Sequence, residues 1–224
     1  MAERITLTTV DDMNIVGDWV PSPRMVGAVI LVHAMPETRS SWSAVQVALS
    51  RKGLASLAID LRGHGDSTTA ADGQGLDYHT FTDEDHQSAI LDVQEAVAWV
   101  RKRGIELNRI ALGGASIGAN LAIIELAEEP TLAGAVLLSP GADYHGTNAL
   151  DEAEDLLPDQ DLIIVSSEDD AESFPTSKKL YDLVSVDKKT FVPYKNAGHG
   201  TDMLKSDPAL TEKIAGWLLD MVRG

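Results

Sequence analysis

The first groups in this chain able to do chemistry sit in one short stretch. Gly114-Ala115-Ser116-Ile117-Gly118 is a G-x-S-x-G, with apolar residues from Arg109 before it and Ala-Asn-Leu-Ala-Ile-Ile-Glu-Leu-Ala after it. The pattern predicts a strand, a sharp turn carrying the serine, and a helix to about Glu129. That geometry pushes the Ser116 hydroxyl out at the end of a sheet. Glycines let neighbouring backbone pass close to the turn. The helix start places free N–H groups and a positive dipole end beside the hydroxyl, which favours an oxyanion.

A serine hydroxyl is a weak nucleophile until a base takes its proton, and the base needs a group to hold its tautomer. The chain has six histidines. His33 and His64 sit in turns after apolar strands, His79 and His86 flank a helix start, and His145 lies in a loop. Only His199, in the glycine-flanked Gly198-His199-Gly200, follows the last acidic strand end, so it is the candidate base. Asp170 is the first choice of acid, after Leu-Ile-Ile-Val-Ser-Ser-Glu-Asp; Asp143, Asp169 and Glu168 remain alternatives. The order serine, acid, histidine is the one this turn carries. Two backbone donors for an oxyanion are expected at Ile117, directly after the serine, and at Met35, in the loop after the third strand. Ala34, Met35, Tyr144 and His145 are the candidate lining of a substrate pocket.

The elements that must position these groups alternate along the chain. Glu3–Val10 and Met13–Val20 read as a hairpin around Asp11-Asp12. Val26–Val32, Leu54–Ile59 and Leu132–Leu138 are continuous apolar runs, as in strands buried on both faces. Asp161–Val165 and Lys189–Val192 complete a sheet of about eight strands. Helices are expected over Ser40–Lys52, from Thr82 to about Arg103, over Pro175–Val184 and over Pro208–Val222, with a short one in Asn148–Pro158. Strands alternating with helices mean an α/β fold, a mostly parallel sheet with an antiparallel amino-terminal edge and helices on both faces. No linker or repeat divides residues 1–224, so one domain is expected. Ser116, Met35, Asp170 and His199 each follow a strand at the same end, where ligands bind such sheets.

Composition narrows the partners. The formal net charge of −17 repels nucleic acid and anionic membranes. The absence of cysteine removes disulfides, thiolate metal sites and a cysteine nucleophile. The amino terminus lacks the apolar core of a signal peptide, no run is long enough for a membrane span, and a cytoplasmic protein is expected. There is no G-x-x-x-x-G-K-[ST] or G-x-G-x-x-G, and Asp83, Glu84, Asp85 and His86 point apart on a helix start, so no cofactor or metal is expected. Asp60-Leu61-Arg62-Gly63-His64-Gly65 reads as a structural turn braced by Arg62 on an acid.

Taken together, His33-Ala-Met-Pro-Glu-Thr-Arg-Ser-Ser-Trp42, Asp60-Leu-Arg-Gly-His-Gly-Asp-Ser67, Gly114–Gly118, Ser167-Glu-Asp-Asp170 and Gly198-His199-Gly200 resemble, in content and order, the α/β-hydrolase family. The resemblance covers nearly the whole chain. It implies Ser116 as nucleophile, Asp170 as acid, His199 as base, and Met35 and Ile117 as oxyanion donors, acting on a small-molecule ester. Two positions depart from the family pattern: Ala34 replaces the glycine after His33, which narrows the oxyanion loop, and Ser167 replaces a glycine before the acid. The segment where many members insert a helical cap is short here. The chain is similar to compact, capless carboxylesterases and dienelactone-hydrolase-like proteins, with serine as nucleophile. An open pocket walled by Ser67–Thr80 and Gly141–Pro158, suited to short acyl groups, is the expectation. Thioesterase, lactonase or amidase chemistry would use the same residues, and a non-catalytic module on the same fold is the remaining alternative.

Overall fold

The computed structural model describes residues 2–224. One sheet of nine strands, one more than expected, runs through the molecule. Its strands are β1 (Glu3–Thr8), β2 (Met13–Val20), β3 (Gly27–Val32), β4 (Leu54–Ile59), β5 (Thr69–Ala70), β6 (Ile110–Ala115), β7 (Gly134–Leu138), β8 (Asp161–Ser167) and β9 (Lys189–Tyr194). The order is β1-β2-β4-β3-β6-β7-β8-β9, with β5 paired to β2. β1, β2 and β5 pair antiparallel; every pairing from β4 to β9 along this order is parallel. The antiparallel edge and parallel centre agree with the reading of the sequence.

All residues of β3, β4, β6 and β7 are buried, as their unbroken apolar runs require. Alternate side chains serve two cores. Val29 and Leu31 face α1 (Ser43–Lys52) and α7 (Ala209–Arg223), against Val45, Leu49, Leu210, Ile214 and Leu218. Ile30 and Val32 face α3 (Ile90–Lys102) and α4 (Ile117–Glu128), against Val93, Val97, Leu121 and Ile123. Because β3, β4, β6, β7, β8 and β9 run parallel, their carboxyl ends share one rim.

Four expectations change. The helix from Thr82 breaks into α2 (Asp83–Gln87) and α3. Thr82 and Asp85 form a capping box at its start, and Ser88 Oγ donates to the Glu84 carbonyl at 2.8 Å, the kind of side-chain competition that interrupts helices. Asn148–Pro158 holds only a single 3₁₀ turn at Asp151–Glu154, because Asp151, Glu152, Glu154 and Asp155 crowd like charges into it. α5 begins at Ser173 rather than Pro175, spanning Ser173–Leu183. A short helix, α6 (Asp202–Ser206), follows the His199 loop, where no element was expected.

Candidate active site

Ser116 stands between β6 and α4 with φ 56° and ψ −123°, a left-handed conformation costly for a non-glycine residue. The strain is held from several sides. The Ser116 N–H donates to the Leu138 carbonyl at 2.9 Å, and its own carbonyl accepts from Ala119 and Asn120 at 2.8 and 3.2 Å. Both glycines of the motif are steric necessities. A Cβ on Gly114 would stand 2.1 Å from the Gly118 carbonyl oxygen, and one on Gly118 would stand 2.5 Å from that of Val32. The close fit packs the first turn of α4 against the end of β3. It brings Ile117, whose N–H has no acceptor within its helix, beside the His33–Met35 segment.

That segment is fixed by His33, which is fully buried. Its Nδ1–H donates to the Ala34 carbonyl at 2.8 Å, and its Nε2 accepts the Leu61 N–H at 3.0 Å. Burial drives its pKa down to about 3, so the ring is neutral. The Ala34 carbonyl also accepts the Glu37 N–H at 2.7 Å, and Met35, half-buried, packs on the core. The Ala34 methyl lies 3.6 Å from where a Cβ on Gly200 would be, so it fills the space between the His33 and His199 loops.

Asp170 follows β8 and His199 follows β9. His199 Nδ1 and Asp170 Oδ2 are 2.6 Å apart. Burial pushes the Asp170 carboxyl up, but hydrogen bonds from His199 and from Ser173 outweigh it and hold the pKa near about 2. The other acids are engaged elsewhere. Asp169 accepts from Ser167 Oγ and, at 3.2 Å, from the Ala197 N–H. Ser167 Oγ accepts the same N–H at 3.0 Å, so the serine standing in place of the family glycine fastens the loop that carries the base. Asp143 Oδ1 accepts the Gly146 N–H at 2.8 Å, and Glu168 pairs with Lys195 at 3.7 Å. Among the described residues no hydrogen bond joins Ser116 Oγ to His199. Nδ1 being committed to the acid, Nε2 is the ring nitrogen left to serve the serine; such contacts tighten when substrate binds.

A cavity of about 410 Å³ opens beside His199, lined by residues that include Tyr144, Asp170, Ala171, Glu172 and Gly198. Of the four residues expected to line the substrate pocket, Tyr144 borders this cavity, while Ala34 and Met35 are outside its lining, as is Ser116. His145 is outside it too: with φ 53° it lies against His86 at 4.1 Å and meets Asp83 at 3.3 Å. Of the two expected walls, the Gly141–Pro158 loop contributes Tyr144. Ser67–Thr80 contributes nothing to this cavity, because β5 within it pairs with Met13 and Asn14 at the far side of the sheet. A larger cavity, about 550 Å³, lies at the opposite end of the parallel strands between Arg109, Asp161 and Lys188. Its lining has no histidine, whereas the smaller cavity is bordered by both His199 and Asp170, so chemistry rather than size locates the site. Among the described residues no three His, Asp or Glu side chains gather as metal ligands.

Two contributors escaped the sequence reading. Asn120, fully buried one turn into α4, donates through Nδ2 to the carbonyls of Gly141 and Thr147 at 3.0 and 2.9 Å and accepts the Gly141 N–H at 2.9 Å. It fastens the Tyr144 loop to the serine's helix. Ser173, also fully buried, donates its N–H to Asp170 Oδ1 at 3.1 Å. Its position three residues after the acid, as in a side-chain-capped turn, was the available signal.

A parallel sheet of this order, with a strained serine after β6 and an aspartate–histidine pair after β8 and β9, defines an α/β-hydrolase. Residues 23–159 match the family described as serine aminopeptidase, S33, and the chain belongs to that family of hydrolases. No curated protein matches the chain by sequence. Among solved structures, the esterase Pf2001 from Pyrococcus furiosus is similar with TM-score 0.78 and 19% identity, over 100% of this chain and 91% of that one. The α/β hydrolase GrgF from Penicillium sp. sh18 gives TM-score 0.80 and 15% identity, over 100% and 98%. A dienelactone hydrolase from Anabaena variabilis gives 0.73 and 16%, over 99% and 96%. These are likenesses of fold. No helix among the described residues is long and apolar enough to cross a membrane.

Proposed function

We propose that the protein is a serine hydrolase that cleaves small carboxylic esters through an acyl-enzyme, with Ser116, Asp170 and His199 as its triad. The observation that carries this reading is the 2.6 Å contact of His199 Nδ1 with Asp170, at the end of the sheet where Ser116 stands. His199 Nε2 takes the Ser116 proton as Oγ attacks the ester carbonyl. The tetrahedral oxyanion rests on the N–H groups of Ile117 and Met35. Asp170, ionised throughout the neutral range, holds the imidazole and stabilises its cation. His199 then gives the proton to the departing alcohol. Water, deprotonated by His199, attacks the acyl-enzyme, and Ser116 is regenerated.

The cavity is open and no cap stands over it, which supports short acyl groups. Hydrolysis of p-nitrophenyl esters from acetate to laurate, by wild type and Ser116→Ala, tests this. Activity on the short chains that disappears in the variant is the expected result; equal activity in both proteins overturns it. Because the family's description is an aminopeptidase, aminoacyl p-nitroanilides belong in the same panel. Turnover of these above the esters would replace ester with amide as the substrate bond and leave the triad unchanged. Thioesters and lactones complete the panel.

A further inference from the structure

His199 is held by more than its aspartate. Its Nδ1 lies 3.3 Å from Ser173 Oγ, in addition to the 2.6 Å contact with Asp170. Ser173 Oγ lies 2.7 Å from the Tyr144 hydroxyl. The Tyr144 hydroxyl donates in turn to the Ser139 carbonyl at 3.4 Å. Ser139 closes the circuit, because its Oγ accepts, at 3.0 Å, the N–H of Gly200, the residue after the histidine. Ser139 and Ser173 are fully buried, and Ser139 has φ 53°, a backbone strain held at this one place after β7. The Tyr144 ring stands edge-on to the imidazole, with centroids 6.1 Å apart at 87°.

One arrangement of protons gives each of these contacts a donor. The His199 Nδ1–H, shared with Asp170, donates to Ser173 Oγ. The Ser173 O–H donates to the Tyr144 oxygen, and the Tyr144 O–H donates to the Ser139 carbonyl. The chain runs one way, from the ring that becomes positive towards a carbonyl, so each bond strengthens the next as charge develops. It also braces the imidazole on the edge opposite Nε2.

We propose that Ser173, Tyr144 and Ser139 form a positioning ring that fixes the His199 imidazole and stabilises its charged form. The proposal rests on the triad reading above. Ser173, buried and away from the cavity lining, acts through His199 and is a positioning residue, so its loss slows the chemical steps and leaves ground-state binding alone. Tyr144 joins the same chain through its hydroxyl while its ring borders the cavity, and replacement by Phe removes the hydroxyl alone.

The test combines Ser173→Ala, Tyr144→Phe and the double variant, assayed on the best ester of the panel. Fluorophosphonate labelling of Ser116 and thermal melting are measured on each. Misaligning a reacting group costs on the order of 10²-fold, so each single variant is expected to lose about 10- to 100-fold in kcat, with KM nearly constant in Ser173→Ala. The double variant is expected to be no slower than the worse single one, because both break one chain. The downfield proton resonance of Nδ1–H is expected to move in both single variants. Unchanged kcat, losses that multiply in the double variant, a rise in KM alone, or an unmoved resonance each overturn the ring. Tyr144→Phe removes one oxygen and leaves the ring packing in place, so it reports even if Ser173→Ala melts early. A wild type that takes no label at Ser116 overturns the triad reading, and the ring with it. Labelled wild type with unaffected variants overturns the ring alone.

Discussion

His33 and His199 stand at the same rim of the sheet, after β3 and β9, and differ in how many ring nitrogens the protein itself engages. His33 uses both, one on the Ala34 carbonyl and one on the Leu61 N–H, and is fully buried and neutral. His199 directs Nδ1 at Asp170 and Ser173 and keeps 39% of its side chain exposed. The acids differ in what holds them. Asp92, fully buried, receives two guanidinium nitrogens and the backbone N–H of Arg62, and Arg62 reaches on to Asp11. Burial raises the Asp92 pKa to about 6 against the pull of Arg62, so the pair is ionised at neutral pH. Asp170 is lowered instead, because hydrogen bonds from His199 and Ser173 outweigh its burial. A histidine whose two ring nitrogens both have fixed partners braces the fold. One with a nitrogen left over and partly open to solvent is equipped to react.

The largest expected effect is on the reactive side of this contrast. Ser116→Ala should lower kcat by on the order of 10⁴ to 10⁶ with an unchanged urea midpoint; a loss below tenfold would remove Ser116 from the chemistry. Asp170→Asn should keep the fold and cost roughly 10⁴ in kcat, through the wrong tautomer of His199. If Asp169→Asn were the more damaging, the acid would be reassigned.

On the bracing side the readout is stability. The His33 pKa of about 3 lies below its ordinary 6.5, so between those values the folded chain binds fewer protons than the unfolded one. This contribution is complete above pH 6.5 and is lost as the pH falls toward 3. The loss runs at about 1.4 kcal/mol per pH unit. His33→Gln, which keeps a donor and an acceptor but does not titrate, should flatten urea-derived stability over that range; an equally steep variant would mean that His33 is not the group responsible. Arg62→Met should destabilise by about 3–5 kcal/mol, by leaving Asp92 buried without its partner, while activity per folded molecule stays within a few-fold. A selective fall in activity would join the brace to the site and blur the contrast.

The fold was legible because its central strands are long apolar runs broken by glycine and proline, which admit few alternatives. The nucleophile turn was legible because a strand, two glycines and a helix must coincide there. Arg62 was read as a brace on an unnamed acid; that the acid is Asp92, thirty residues on in α3, depends on tertiary packing. Ser173 was missed because a single hydroxyl at a helix start looks like any cap until the folded chain sets it beside the imidazole. His145 was misplaced because a left-handed residue at a loop tip reverses direction without a sequence mark. The break at Ser88 was hidden by helix-forming residues on both sides.

The edge strand β9 has a further consequence. The carbonyls of Lys188 and Tyr194 accept from Leu162 and Glu168 at 3.0 and 2.9 Å, so the positions between them in alternation, Lys189, Phe191 and Pro193, turn their backbone outward. At Pro193 that outward row lacks a donor altogether. A strand arriving from another molecule would meet a missing hydrogen bond at that place. The margin that carries the His199 loop thus offers an added strand an incomplete ladder of hydrogen bonds.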